Sequence, residues 1–159
     1  MLAHTGHFNL YDKYNDPIYL DRILVDFPDL PIIAAHMSEG WSSNLFCMAH
    51  YKPSLATDVS RWQIAAREDH PHFCQCLRQA LDQFGTERVL FGTDGPYLRL
   101  FLSDRDYVQM IKDLPTKAPE GISFTEAEVE AVLGGNAKRI LELETDSSPP
   151  SRTAQRQEA

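Results

Sequence analysis

The chain has 159 residues, 43% of them hydrophobic, with 23 acidic against 15 basic side chains. That is enough apolar material for one buried core, and a formal net charge of −8 lacks the basic footprint that nucleic acid or an anionic membrane requires. No run approaches the roughly 18 apolar residues of a membrane-crossing helix, and the opening MLAHTGHFNL has neither the charged head nor the apolar stretch of a secretion signal.

In chain order, strands and helices alternate. MLAHTGH reads as a short strand, and DPIYLDRILVDFPD as a helix with Asp16 as N-cap, Pro17 at its first position, and Ile18, Ile23, Leu24 and Phe27 on one face. LPIIAAH is a second strand, its four apolar residues Ile32 to Ala35 read as buried on both sides. A short helix begins near Ser42, SLATDVS is a third strand, and PHFCQCLRQALDQFG is a helix that Gly85 ends. RVLFGTD is the fourth strand. It is followed by a helix capped by Ser103 or Asp104, then by TEAEVEAVLGG and NAKRILELE, where Thr125 and Glu128 have capping-box spacing. Residues 1–143 form one domain in this reading, and 144–159, with no apolar residue larger than alanine from Thr145 on, form a disordered tail.

Parallel neighbours need long crossovers, and helices supply them. The fold class is therefore α/β, either an open doubly wound sheet or part of a (β/α)₈ barrel. No glycine-rich phosphate loop follows any strand, which disfavours a dinucleotide site. The cysteines, Cys47, Cys74 and Cys76, are odd in number and poorly spaced for zinc or a disulfide framework. They read as small buried apolar residues in a reducing compartment, and the expected location is the cytoplasm.

All four strands end in residues able to bind a metal. The first offers His4 and His7, the second His36, the third Asp58 and the fourth Asp94. Imidazole and carboxylate drawn from separate strands are what a catalytic divalent ion takes. Each residue also has a bland reading: a lone histidine closing a strand more often packs or hydrogen-bonds, and Asp58 and Asp94 sit before turns, where aspartate commonly caps the backbone. His7 and Asp58 near strand ends, and Trp41, Arg61, Trp62 and Tyr97 just beyond them, are candidates for a substrate pocket, with core packing the competing role for the aromatics. His50 reads as surface.

HTGH, DLPIIAAHMSEGW, ATDVSRWQ, VLFGTDGPY and the late LGGNAKRILEL together resemble the second half of an amidohydrolase-related protein of the kind that includes aminocarboxymuconate-semialdehyde decarboxylase. The resemblance spans about residues 1 to 143 and implies strands 5 to 8 of a (β/α)₈ barrel that binds one divalent metal, most commonly zinc. It places a metal ligand at His4, a water-orienting or water-deprotonating histidine at His36, and a metal ligand and proton acceptor at Asp94. It implies a small-molecule substrate and hydrolysis of an organic acid, amide, ester or lactone. Non-oxidative decarboxylation is the alternative, and a non-catalytic half-barrel acting as an interaction module is a third reading.

This sequence departs from the family pattern at one place. The His-x-His pair that such proteins carry on the first strand has no counterpart before His4, so the first four βα units are expected to be missing. His70 and His72 do read H-P-H, but in a loop before a helix, where capping is the expected role. Two exposed sheet edges should leave the chain sticky, or paired with a second copy or with an amino-terminal half.

Overall fold

Ile32, Leu55 and Val89 each begin a short aliphatic stretch that follows a polar turn, and each opens a strand. In the computed structural model, which describes residues 1–7 and 13–142, the strands are β1 (Leu2–Ala3), β2 (Ile32–Ala34), β3 (Leu55–Asp58) and β4 (Val89–Leu90). They form one parallel sheet in the order β1-β2-β3-β4, with Leu2 opposite Ile33, Ala34 opposite Thr57, and Asp58 opposite Leu90. Neighbours in space that are also neighbours in sequence, each joined by helical crossovers, are the topology of half an eight-stranded barrel.

The crossovers are α1 (Leu20–Asp26), α2 (Ser42–Ala49), and the pair α3 (Gln63–Glu68) and α4 (His70–Phe84). After β4 come α5 (Asp104–Lys117), α6 (Glu126–Glu130) and α7 (Asn136–Ile140). The starts of α4, α5 and α6 are capped by side chains. Asp69 accepts from the His72 amide at 3.2 Å, and Ser103 accepts from the Asp106 amide at 3.1 Å. The Thr125 hydroxyl accepts from the Glu128 amide at 3.1 Å while the Glu128 carboxylate accepts from the Thr125 amide at 2.8 Å, the full reciprocal box. Among the described residues, no helix is long and apolar enough to cross a membrane.

Alternation along the strands separates two faces. Ile32, Ala34, Leu55 and Val89 enter the core beneath the helices with Phe73, Leu77, Phe84 and Tyr107. Leu2, Ile33 and Leu90 face a groove instead. Leu2 remains 68% exposed.

Four expectations need correction. Asp16 does cap its turn, accepting from the Ile18 amide at 3.0 Å, but that turn is a tight one over Pro17–Tyr19 and the α-helix begins only at Leu20. The tighter winding shifts the helical phase, so Leu20 and Leu24 are buried while Ile18 and Phe27 are exposed. Cys47 is exposed, because only the Leu45, Phe46, Met48 and Ala49 side of α2 meets the core; Cys74 and Cys76 are buried as expected. Ala34 and Ile32 of β2 are fully buried, but Ile33 is only partly so. His70-Pro71-His72 is the first turn of α4 itself, not a preceding loop. The tail, residues 144–159, lies outside the described residues.

Candidate functional site

The carboxyl end of β2 turns sharply. His36, Met37 and Ser38 have φ of 67°, 44° and 48°, three successive side-chain-bearing residues in the left-handed region, each at a cost of roughly 1 kcal/mol or more. Side chains from three other segments hold them there. Asp58 Oδ1 accepts from the His36 amide at 3.0 Å, and the Trp62 indole donates to the His36 carbonyl at 2.6 Å. Ser42 donates to the Met37 carbonyl at 2.8 Å. Ser38 donates to the Thr5 hydroxyl at 2.8 Å, which donates in turn to the Ala35 carbonyl at 2.6 Å. With its peptide held at both ends, the His36 ring has little freedom.

His36 is 5% exposed and its ring is bonded on both nitrogens. Nδ1 lies 2.7 Å from Ser60 Oγ, and Nε2 lies 3.2 Å from Nδ1 of His4. The two imidazoles meet edge to face, with centroids 5.0 Å apart and planes at 69°. The Ser60 hydroxyl and amide both bond Asp58 Oδ1, the amide at 2.9 Å. Behind them Tyr107 donates to the Val59 carbonyl at 2.7 Å, pinning the end of β3. Complete burial, and secondarily the Asp58 charge, hold its phenol well above the usual tyrosine range.

β4 reaches the same place through Gly92. A Cβ at Gly92 would stand 3.0 Å from that of Ser60, so glycine permits the ends of β3 and β4 to approach. Asp94 follows at φ 49°, exposed, before a cis Gly95–Pro96 peptide. His4, His36, Asp58, Ser60 and Asp94 line one groove of about 560 Å³ on the uncovered face of the sheet, at the carboxyl ends of its strands. This is where (β/α)₈ enzymes hold their chemistry.

The remaining pocket candidates divide. Asp58 lines the groove, whereas His7, Trp41, Arg61, Trp62 and Tyr97 do not. Trp62 is buried and acts through the His36 carbonyl. His7, Trp41 and Arg61 gather around Glu39 and Gly40: the His7 and Trp41 rings lie 3.9 Å apart, Arg61 donates to the His7 carbonyl, and its Nε pairs with Glu39 at 3.3 Å. A Cβ at Gly40 would fall 1.7 Å from the His7 ring, so that stack requires glycine. Tyr97 is 66% exposed, set edge-on to Phe101. His50 is exposed, and His70 and His72 lie on α4 away from the groove, near Cys74 and Cys76 respectively. Ser60 and Gly92 carry no signal in the sequence that marks them as site residues, since both follow the ends of β3 and β4.

A catalytic zinc takes three protein ligands. His4 and Asp94 offer suitable donor atoms, but among the described residues no group of three or more histidine, cysteine, aspartate and glutamate side chains could hold one ion. The donor set therefore fits a divalent metal in kind and falls short in number.

The chain is 27% identical over 162 residues to L-fucono-1,5-lactonase of Burkholderia multivorans, a match covering 81% of this chain and 52% of that protein. A crystal structure of an amidohydrolase from Burkholderia multivorans with bound zinc superposes with a TM-score of 0.67 at 20% identity, covering 90% of this chain and 53% of the other. A dihydroxybenzoic acid decarboxylase from a Polaromonas species, with bound manganese and an inhibitor, superposes with a TM-score of 0.52 at 20% identity, covering 76% and 36%. The chain thus spans about half the length of the curated relative it matches. The family described as Amidohydrolase matches residues 3–143, and with the parallel half-barrel and the polar strand ends all in agreement, the chain belongs to the amidohydrolase family.

Proposed function

We propose that this chain is the carboxyl-terminal half of a metal-dependent hydrolase that opens the lactone or ester of a small organic acid. The observation that carries this reading is the convergence of His4, His36 and Asp94 from three strand ends on one groove, in a family whose relatives here include a lactonase. In the proposal His4 and Asp94 contribute two ligands to a divalent ion, zinc or manganese, and the remaining ligands come from βα units outside this chain. The ion, when bound, supplies Lewis-acid polarisation of the substrate carbonyl. His36, buried and with Nδ1 held by Ser60, orients the attacking water through Nε2, which exchanges its contact with His4 for the water. Asp94, exposed at the mouth, accepts the proton released as water adds to the carbonyl carbon, and returns it to the ring oxygen as the carbon–oxygen bond breaks. Three cysteines without disulfides fit work in a reducing cytoplasm. The partners proposed are a small-molecule substrate and the other half of the barrel, with a second copy of this chain as the alternative cover.

Two measurements test this. Equilibrium dialysis of the chain alone against zinc should recover well under one tightly held ion per chain. One tight ion, lost on His4→Ala and on Asp94→Ala, would show the site complete without further ligands. In a reading frame extended upstream to include a His-x-His strand, sugar 1,5-lactones should be hydrolysed with proton release, and His36→Ala or Asp94→Asn should abolish turnover. Either variant working at the wild-type rate with unchanged metal content removes its assigned role. Release of carbon dioxide from aromatic carboxylates, with lactones untouched, would establish decarboxylation instead.

A further inference from the structure

Asp58 Oδ1 receives three donors: the His36 amide at 3.0 Å, the Ser60 amide at 2.9 Å and the Ser60 hydroxyl. An oxygen accepting two backbone N–H groups carries no proton of its own, so the third contact has one polarity: the Ser60 hydroxyl donates to the carboxylate. Having spent its only hydrogen, Ser60 Oγ meets His36 Nδ1 at 2.7 Å as an acceptor. The proton of neutral His36 therefore sits on Nδ1, and Nε2 carries the lone pair. Nε2 lies 3.2 Å from Nδ1 of His4, and that contact in turn requires His4 to donate from Nδ1, which leaves Nε2 of His4 as its lone-pair nitrogen.

We propose that Asp58 and Ser60 are positioning residues that fix which nitrogen is protonated in both His36 and His4, through one directional chain running from His4 to His36 to Ser60 to Asp58. The chain is anchored at its acidic end by rigid backbone: the His36 and Ser60 amides that bind Asp58 belong to the ends of β2 and β3, and Asp58 and Ser60 are both buried. Its other end is His4, which lines the groove. A histidine that must present a lone pair to a cation, the role proposed for His4, is useful only in one tautomer. The relay supplies that tautomer before any ligand arrives. This inference deepens the functional reading above and rests on it for its purpose. The protonation pattern itself is a property of the chain alone.

The test is read on the chain without metal or substrate, so it stands apart from any activity assay. Two-bond proton–nitrogen correlation spectra of the ¹⁵N-histidine-labelled chain, recorded at about pH 8 where an ordinary imidazole is neutral, report the tautomer of each ring. Signals are assigned by single histidine-to-asparagine changes. His36 and His4 should both show the Nδ1–H pattern. Ser60→Ala should turn His36 to the Nε2–H form or to a mixture, and Ser60→Thr, which keeps the hydroxyl, should restore Nδ1–H. Nε2–H on His36 of the unaltered chain overturns the proposal, as does an unchanged Nδ1–H pattern in folded Ser60→Ala. Should Ser60→Ala fail to fold, by thermal unfolding and amide spectra, the unaltered chain and Ser60→Thr still decide the matter, since either one showing Nε2–H refutes it.

Discussion

The two faces of the sheet are built from neighbouring residues of the same strands, yet one is finished and the other is not. Ile32 is fully buried under the helices; Ile33, next in sequence and chemically identical, looks into the groove and is only partly covered. The helix-covered face has aliphatic and aromatic partners throughout, from Phe73 to Tyr107. The groove face has Leu2 largely exposed at one level and His4, His36 and Asp58 at the next. One sheet thus carries a folding surface on one side and a site surface on the other, and the second has the polar groups of a closed barrel without the wall that would enclose them. The uncovered apolar side chains should drive association. Light scattering after size exclusion is expected to show dimers or larger species for the chain alone, and Leu2→Lys with Ile33→Lys is expected to shift it toward monomer. A clean monomer of the unaltered chain with cooperative unfolding would mean that these edges are hidden.

The sharpest quantitative contrast uses the isoleucine pair. Ile32→Ala removes a side chain from a closed core and should cost about 2–5 kcal/mol. Ile33→Ala removes the same atoms from a surface that still meets solvent and should cost under about 1 kcal/mol. Denaturant midpoints of the two variants, with unchanged slopes, measure the difference. Equal losses would show that the groove side is packed as tightly as the core.

Within the groove the two aspartates form the next comparison. Asp58→Ala leaves the His36 and Ser60 amides without their acceptor in a buried position and should cost about 2–3 kcal/mol. Asp94→Asn, at an exposed residue in a left-handed conformation that asparagine tolerates, should stay within about 0.5 kcal/mol. An equal cost at both positions would erase the distinction between a carboxylate that builds the site and the one proposed for chemistry.

This difference between building and using a site also governs what was legible in the sequence. His4, His36, Asp58 and Asp94 stood out because each closes an apolar run, and the order and spacing of those runs carried the half-barrel. Ser60 did not, because a serine after a strand is ordinary turn chemistry until Asp58 and His36 are seen on either side of it. The left-handed backbone at 36–38 was equally hidden. Of Ala-His-Met-Ser only histidine is enriched at positive φ, and three such residues in a row are imposed by Asp58, Trp62 and Ser42 from later in the chain. The misplaced face of the first helix has a local cause, the tight turn over Pro17–Tyr19 that precedes Leu20 and changes the phase of everything after it. Cys47 follows from tertiary geometry alone, since a short helix packed on one side exposes every third or fourth position whatever its polarity.

The smallest effect expected concerns the thiols, and it extends the same contrast to the helix layer. Burial pushes the Cys74 thiol up to about 11, and burial, followed by the charges of Asp69 and Glu39, pushes Cys76 up to about 11 as well. Cys47 is exposed on α2. Since the thiolate is the reacting form, a thiol reagent at neutral pH should modify Cys47 rapidly in the folded chain and reach all three cysteines only after unfolding. The raised values also fix the sign of a stability change. The folded state holds these two protons more tightly than the unfolded chain does, so their contribution is fully present below about pH 9, the ordinary thiol value, and is lost as pH climbs toward about 11. Denaturant midpoints should therefore fall across that alkaline window and show no thiol-linked change below it. Equal rates of modification at Cys47, Cys74 and Cys76 in the folded chain would show that α4 opens as readily as the surface, and that the helix-covered face is no more closed than the groove.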